Sequence, residues 1–91
     1  YPRRAQERGI MGYAVVAFTI TETGTVENTE ALEGFCGDPT DPETVYRECS
    51  IFNSAAASAA TKLKYKPKIV DGKAVRVDNV PHKFTFILEE S

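Results

Sequence analysis

The two cysteines of the chain, Cys36 and Cys49, bound a polar segment that holds several residue types able to do chemistry. The segment reads FCGDPTDPETVYRECS over residues 35–50 and includes four carboxylates: Asp38, Asp41, Glu43 and Glu48. A calcium loop of the EF-hand type needs alternating ligands around a central glycine, and this spacing has neither. The acidic residues are therefore better interpreted as a solvated loop.

Three states of the cysteines are compatible with the sequence. Zinc needs two further ligands, and one histidine with scattered carboxylates supplies them poorly. Two buried free thiols suit a cytosolic protein, whereas a disulfide would close a loop that Pro39 and Pro42 already restrict. Closing about 14 residues is worth roughly 3 kcal/mol by chain entropy. We therefore favour a Cys36–Cys49 disulfide and an oxidising compartment, and we expect no metal and no cofactor.

The only histidine, His82, lies beside Pro81 in a strand-like pattern. A cysteine–histidine nucleophile pair would require a free Cys36 or Cys49 next to that histidine, and nothing in the spacing indicates one. We therefore expect His82 to be a packed or exposed strand residue, and the protein not to be an enzyme.

Length and charge restrict the classes of partner. The 91 residues include 11 basic and 13 acidic residues, and the net charge of −2 argues against nucleic acid as the main partner, because phosphate binding usually needs a basic excess. A local basic patch is available from five lysines: Lys62, Lys64, Lys66, Lys68 and Lys73. No stretch approaches the ~20 apolar residues of a membrane span. The chain begins at Tyr1, so we expect a processed product or fragment with any anchor upstream.

Alternating patterns predict the first two strands. In residues 12–21, every second residue from Ala14 to Ile20 falls on one apolar face, and this β-branched and aromatic run is the clearest strand signal. A glycine turn at Gly24 leads to a second strand that begins near Val26. The apolar residues of that strand do not keep one alternation, which a bulge, a strong twist or an early strand end would explain.

The last predicted strand, VPHKFTFILE, covers residues 80–89. Pro81 cannot donate to a ladder, which predicts a position at the edge of a sheet. An edge strand leaves backbone donors and acceptors unpaired, and an extended peptide can add there as a further strand. The alternative is an edge protected by Pro81, His82 and Lys83 that binds nothing.

Two helices complete the set. Residues 1–9 place Pro2 at a first helical position and Gly9 just past the end. A second helix begins at Asn53 as a cap, and we expect it to continue until Pro67 stops it. The Asp-Gly pair within residues 69–73 predicts a turn before the last strand.

These elements predict an α+β fold of helix-strand-strand-helix-strand order. The first two strands form an antiparallel hairpin, and the long helix covers one face of a three-stranded antiparallel sheet, which gives a two-layer sandwich. We expect one domain over residues 1–91, with an insertion bounded by the cysteines at about 34–51.

Three segments of the chain resemble the C-terminal domain of the TonB family, the periplasmic energy transducers of Gram-negative bacteria. They are YPRRAQERGIMGYAVVAFTITETGTV at 1–26, FNSAAASAATKLKYKPKIVDGKAV at 52–75 and FTFIL at 84–88. The specific combination is an opening Tyr-Pro-x-x-Ala, a Gly-x-Val strand with its glycine turn, and Tyr-x-Pro after a helix. The chain departs from the family in having Leu63 where many members have tryptophan, and in the long segment 34–51.

The resemblance implies a non-enzymatic role in a protein that is anchored in the inner membrane and works with the ExbB–ExbD proton channel complex. The C-terminal domain then grips the TonB box of an outer-membrane receptor, which adds as a strand to the edge of the last strand. Carried over by position, the binding residues are Val80, His82, Lys83, Phe84, Thr85, Phe86, Ile87 and Leu88. Further candidates near that groove are Tyr1, Pro2 and Arg4. The alternative is a structural or dimerising TonB-like module.

Overall fold

The computed structural model describes residues 1–88, and Glu89 of the predicted last strand lies outside them. The elements are α1 Arg3–Arg8, β1 Gly12–Ile20, β2 Val26–Cys36, β3 Arg47–Glu48, α2 Asn53–Ala60, β4 Lys68–Val70, β5 Lys73–Val75 and β6 Val77–Phe86. Strands β3, β2, β1 and β6 form one antiparallel sheet in that order, and β4 pairs with β5 in a separate hairpin. The α+β prediction is confirmed, with four strands in the main sheet instead of three. No helix within residues 1–88 is long and apolar enough to cross a membrane.

The core lies between β1 and α2. Every second residue of β1, from Ala14 through Val16 to Phe18, is buried against α2 and the Phe52 ring that precedes it. Helix α2 presents alanines to the sheet, and small side chains let a helix approach closely. The buried apolar residues are Ala5, Ala14, Val16, Phe18, Cys36, Phe52, Ala56 and Ala60.

Two bulges on β2 explain its irregular apolar pattern, and β6, the other neighbour of β1, carries a bulge as well. Leu32 is left out of the β1–β2 register and is 56% exposed. A second shift in that register lies at Asn28, and a matching shift in the β1–β6 register lies at Asn79. Both asparagines have φ of 55°, a conformation that asparagine tolerates better than most residues. Of the three explanations that the sequence left open for β2, the structure shows the bulge, and each β1 neighbour bends near Phe18.

The second helix differs from its prediction at both ends. Phe52, not Asn53, occupies the cap position and makes no side-chain cap hydrogen bond, and the helix ends at Ala60 well before Pro67. The chain leaves the helix early because the Tyr65 amide donates to the Gly24 carbonyl at 2.9 Å. This bond draws residues 63–67 towards the β1–β2 turn.

The short elements largely follow their local signals. Pro2 is the cap residue of α1 and not its first helical residue, and Gly9 ends that helix in the left-handed conformation with φ of 68°. Asp71 and Gly72, with φ of 51° and 79°, form the turn of the β4–β5 hairpin. The turn was predicted from the sequence, but its two short strands were not.

Candidate functional site

Strand β6 forms one edge of the main sheet, as Pro81 predicted. It pairs with β1 from Val77 to Phe86, and no other strand of the described residues pairs with it. The pairing is regular from Val80 to Phe86, where Phe18 to Gly12 lie opposite. Apart from Pro81, which has no N–H, the outer side of this stretch presents backbone groups of the kind that accept a further strand.

Aromatic side chains close the helix-facing side at the end of β6. Phe86 stacks on Phe52 with ring centroids 4.5 Å apart and planes 12° apart. The Tyr1 ring meets both of them edge-on, at 5.8 Å from Phe52 and 5.6 Å from Phe86, and its hydroxyl donates to the Ile10 carbonyl. Partial burial raises the pKa of Tyr1 above its usual value. Tyr1 is thus fixed beside the end of β6, whereas Pro2 caps α1 and Arg4 lies exposed on that helix.

The histidine of β6 packs against aromatic rings. The His82 ring lies 4.5 Å from Phe84 and 6.5 Å from Phe18, measured between centroids. Both cysteines are in a disulfide, so neither is available as a nucleophile for this histidine. His82 is half-buried and belongs to the apolar side of the strand.

The opposite side of β6 is polar and exposed. Pro81, Lys83 and Thr85 are all exposed, and the Lys83 ammonium lies 4.2 Å from the centroid of the Tyr13 ring on β1. Such a cation–π contact holds a lysine side chain in one place. The edge therefore presents an aromatic row on the helix side and a polar row with a positioned cation on the other side.

The bounds of β6 differ from the predicted strand. It begins at Val77 instead of Val80, and it ends at Phe86, so Ile87 and Leu88 lie past its end. The earlier start depends on contacts across the sheet that a local pattern does not show. The Thr19 hydroxyl donates to Asp78 at 2.9 Å, and Arg76 pairs with Glu27 of β2 at 2.7 Å.

The cysteine-bounded segment extends the sheet. Cys36 and Cys49 form a disulfide with Cα atoms 5.7 Å apart, which confirms the favoured interpretation of the thiols. Strand β3 returns antiparallel to the end of β2, with Glu48 opposite Phe35. The Cys49 amide also donates to the Gly34 carbonyl at 3.1 Å. The segment is therefore a long hairpin whose base is paired and cross-linked.

The acids of this hairpin shape its turns. The motif Asp-Pro-x occurs twice in succession, and in each copy the aspartate accepts the backbone N–H two residues later, from Thr40 to Asp38 and from Glu43 to Asp41, both at 2.9 Å. Asp38 accepts a second bond from the Thr40 hydroxyl, and these bonds hold its pKa below the usual value. Within residues 1–88, no three histidine, cysteine or acidic side chains group to hold a metal ion.

The hairpin also covers one end of the sheet face that α2 leaves open. The Tyr46 ring packs edge-on against Tyr13 at 5.1 Å, and Tyr13 lies 5.3 Å from Phe35. A cavity of about 360 Å³ lies beside the hairpin, lined by Ile10, Met11, Asp38, Val45 and other residues. A second, of about 340 Å³, lies between Leu32 and Asn53.

Two comparisons with known proteins identify the family of this domain. A family model described as the Gram-negative bacterial TonB protein C-terminal matches residues 1–35. A curated relative, Protein TonB of Pseudomonas aeruginosa, is 32% identical over 75 residues, which are 82% of this chain and 18% of the relative. The chain contains a TonB-type C-terminal domain. The family-model match covers α1, β1 and nearly all of β2, and the candidate edge on β6 lies beyond it.

Proposed function

We propose that this chain is the receptor-binding domain of a TonB-type energy transducer. In this proposal it lies in the periplasm as part of an inner-membrane-anchored protein, and it binds the TonB box of an outer-membrane receptor by strand addition to β6. Energy from the proton gradient reaches it through ExbB–ExbD and the remainder of the longer protein. The observation that carries the proposal is the unpaired, regular edge of β6 in a TonB-type domain.

The position of Pro81 indicates which backbone groups bind the added strand. A proline fits an edge strand when its nitrogen lies on the outer side, away from the ladder. Residues two positions apart direct their backbone groups to the same side of a strand. We therefore infer that the N–H groups of Lys83 and Thr85 point outward, while those of Phe84 and Phe86 bond to β1.

Strand β6 is a better binding edge than the outer edge of β2. Two bulges interrupt β2, at Asn28 and Leu32, and bulges are a usual protection against strand addition. Strand β3 covers the remaining end of β2. Three glutamates also lie along β2: Glu27, Glu30 and Glu33. The β6 stretch from Val80 to Phe86 has neither bulges nor acidic residues.

Side chains beside the edge would select the bound sequence. An added strand places alternate residues on the two sides of the sheet. One set would lie beside His82 and Phe84 and favour apolar groups, while the other would lie beside the ammonium of Lys83 and favour an acidic or polar group. Backbone hydrogen bonds then give affinity, and these two rows give specificity.

A pair of substitutions at Thr85 tests the proposal, with a synthetic peptide that copies the TonB box of a candidate receptor. Thr85→Pro removes one outward N–H, and we expect it to weaken peptide binding about fivefold in calorimetry, since one hydrogen bond is worth about 1 kcal/mol. Thr85→Val keeps the N–H and should bind as the parent does. Equal affinities for both variants would exclude this edge.

A dimerising module would use the same exposed edge. Sedimentation of the free chain separates the two functions, because a receptor-binding domain must leave β6 unpaired at working concentrations. A tight dimer that excludes the peptide would favour the dimerising module instead.

A further inference from the structure

A row of lysines follows the second helix. From Lys62 to Lys68 the exposure alternates at each residue, with the lysines outward and Leu63, Tyr65 and Pro67 half-buried. Residues two apart in an extended chain are separated by about 6.5 Å. Lys62 lies in the turn that follows α2, and the alternation after it places Lys64, Lys66 and Lys68 on one side of the segment.

The hairpin that continues this row exposes apolar side chains. Ile69 is 60% exposed and Val70 is 45% exposed, although both are large β-branched residues in a paired strand. Lys73, opposite Val70 in the hairpin, is also exposed. The β4–β5 hairpin thus combines two uncovered aliphatic groups with flanking cations.

Charge is concentrated in this part of the chain. Residues 62–73 contain five lysines and one acid, a charge of +4, whereas the chain as a whole carries −2. The remaining residues therefore carry −6. Within the described residues, the only ion pairs are those of Arg76 with Glu27 and Asp78, so no acidic side chain of residues 1–88 pairs with any of the five lysines.

We propose that the lysine row and the β4–β5 hairpin bind the surface of an anionic phospholipid bilayer. Lysines beside an anionic bilayer contribute about 1 kcal/mol each. Val70 shares a face of the hairpin with Lys68 and Lys73, and its aliphatic side chain inserts at the headgroup boundary. An acidic protein segment would also attract the lysines. To enclose such a segment, however, this chain would need a groove beside the aliphatic side chains. Neither cavity described above is lined by residues 62–75.

Vesicle co-sedimentation of the 91-residue chain tests this surface. The chain should bind vesicles that contain phosphatidylglycerol and not vesicles of phosphatidylcholine alone, and added salt should weaken binding through screening. The double variant Lys64→Gln with Lys66→Gln should lose about 30-fold in partition coefficient. The variant Val70→Ser should lose about tenfold by reducing apolar contact.

A matched control removes the same charge elsewhere. Arg3→Gln with Arg8→Gln changes two exposed cations of α1, and it should bind phosphatidylglycerol vesicles nearly as the parent does. Equal losses in the lysine and arginine variants would overturn the proposed surface, as would no binding to either vesicle. Binding to soluble polyglutamate without binding to vesicles would identify an acidic protein as the partner instead. A Val70→Ser variant that binds as the parent does would remove the hairpin from the surface.

Discussion

Loss of the Cys36–Cys49 disulfide should cost a large share of the stability of this domain. The cysteines are 13 positions apart, so the closed loop holds about 14 residues, and chain entropy then assigns roughly 3 kcal/mol to the cross-link. A domain of this size has about 5–10 kcal/mol in total. The expected thermal shift is about 12–24 °C, at 4–8 °C per kcal/mol for a small domain.

The assay compares the oxidised chain, the same chain with a reductant, and the variant Cys36→Ala with Cys49→Ala. Urea unfolding should shift to lower denaturant by roughly 2–3 M in both altered forms, with a slope of about 1 kcal/mol per molar for a chain of this length. The reduced chain is the better control for packing, since it keeps both side chains in place. Losses below about 1 kcal/mol in both forms would refute the reasoning that the cross-link mainly restricts the unfolded chain.

Three further predictions follow from single contacts. Gly24→Ala should destabilise the domain by about 2–4 kcal/mol in urea unfolding, because the added Cβ would clash with a backbone oxygen. Gly72 also has positive φ but lies in open space, so Gly72→Ala should cost only about 1 kcal/mol. Equal costs would contradict the steric explanation. In an NMR titration the pKa of Asp38 should lie below the usual value for aspartate. Its turn hydrogen bonds should be fully present above the usual pKa and be lost as the pH falls through the lowered one. Thr40→Val should raise the pKa of Asp38. Tyr46→Ala should cost about 1 kcal/mol through lost aromatic contact, and an unchanged stability would show that Tyr46 does not stabilise the sheet face.

Short-range sequence patterns correctly predicted those parts of the fold that do not depend on contacts between distant residues. The alternation of residues 12–21 predicted β1, and its apolar face is the buried one. Pro81 predicted an edge strand because proline lacks the donor that an interior strand needs. The disulfide was favoured because zinc would need two further ligands and because closing the loop is worth roughly 3 kcal/mol by chain entropy.

Contacts between distant residues determined what the sequence did not show. Helix α2 stops at Ala60 because Tyr65 bonds to Gly24, and no pattern near Pro67 indicates that bond. Asn53 has the residue type of a cap, but the chain enters the helix with Phe52 in the cap position and in a helical conformation. The short strand β3 has no strand signal in its own sequence. It forms because the cross-link holds it beside β2, where Glu48 pairs with Phe35.

The sequence predicted the position of the last strand correctly, but not its first and last residues. Lys83 and Phe84 were predicted in the last strand and lie in β6, and their part in binding stays a prediction. The strand is shifted towards its N-terminal end because Asn79 permits a bulge that returns Val77 to register with Ile20. Tyr1 contacts Phe86 at the end of β6, and its part in binding also stays a prediction.

Amide hydrogen exchange at β6 tests the central claim most directly. In the free chain the amides of Phe84 and Phe86 should be protected by β1, while those of Lys83 and Thr85 should exchange rapidly. Saturating TonB-box peptide should then protect Lys83 and Thr85 and leave the inner pair nearly unchanged, because a new strand bonds only to the outward groups. Protection that appears elsewhere, with Lys83 and Thr85 still exchanging rapidly, would contradict strand addition at this edge.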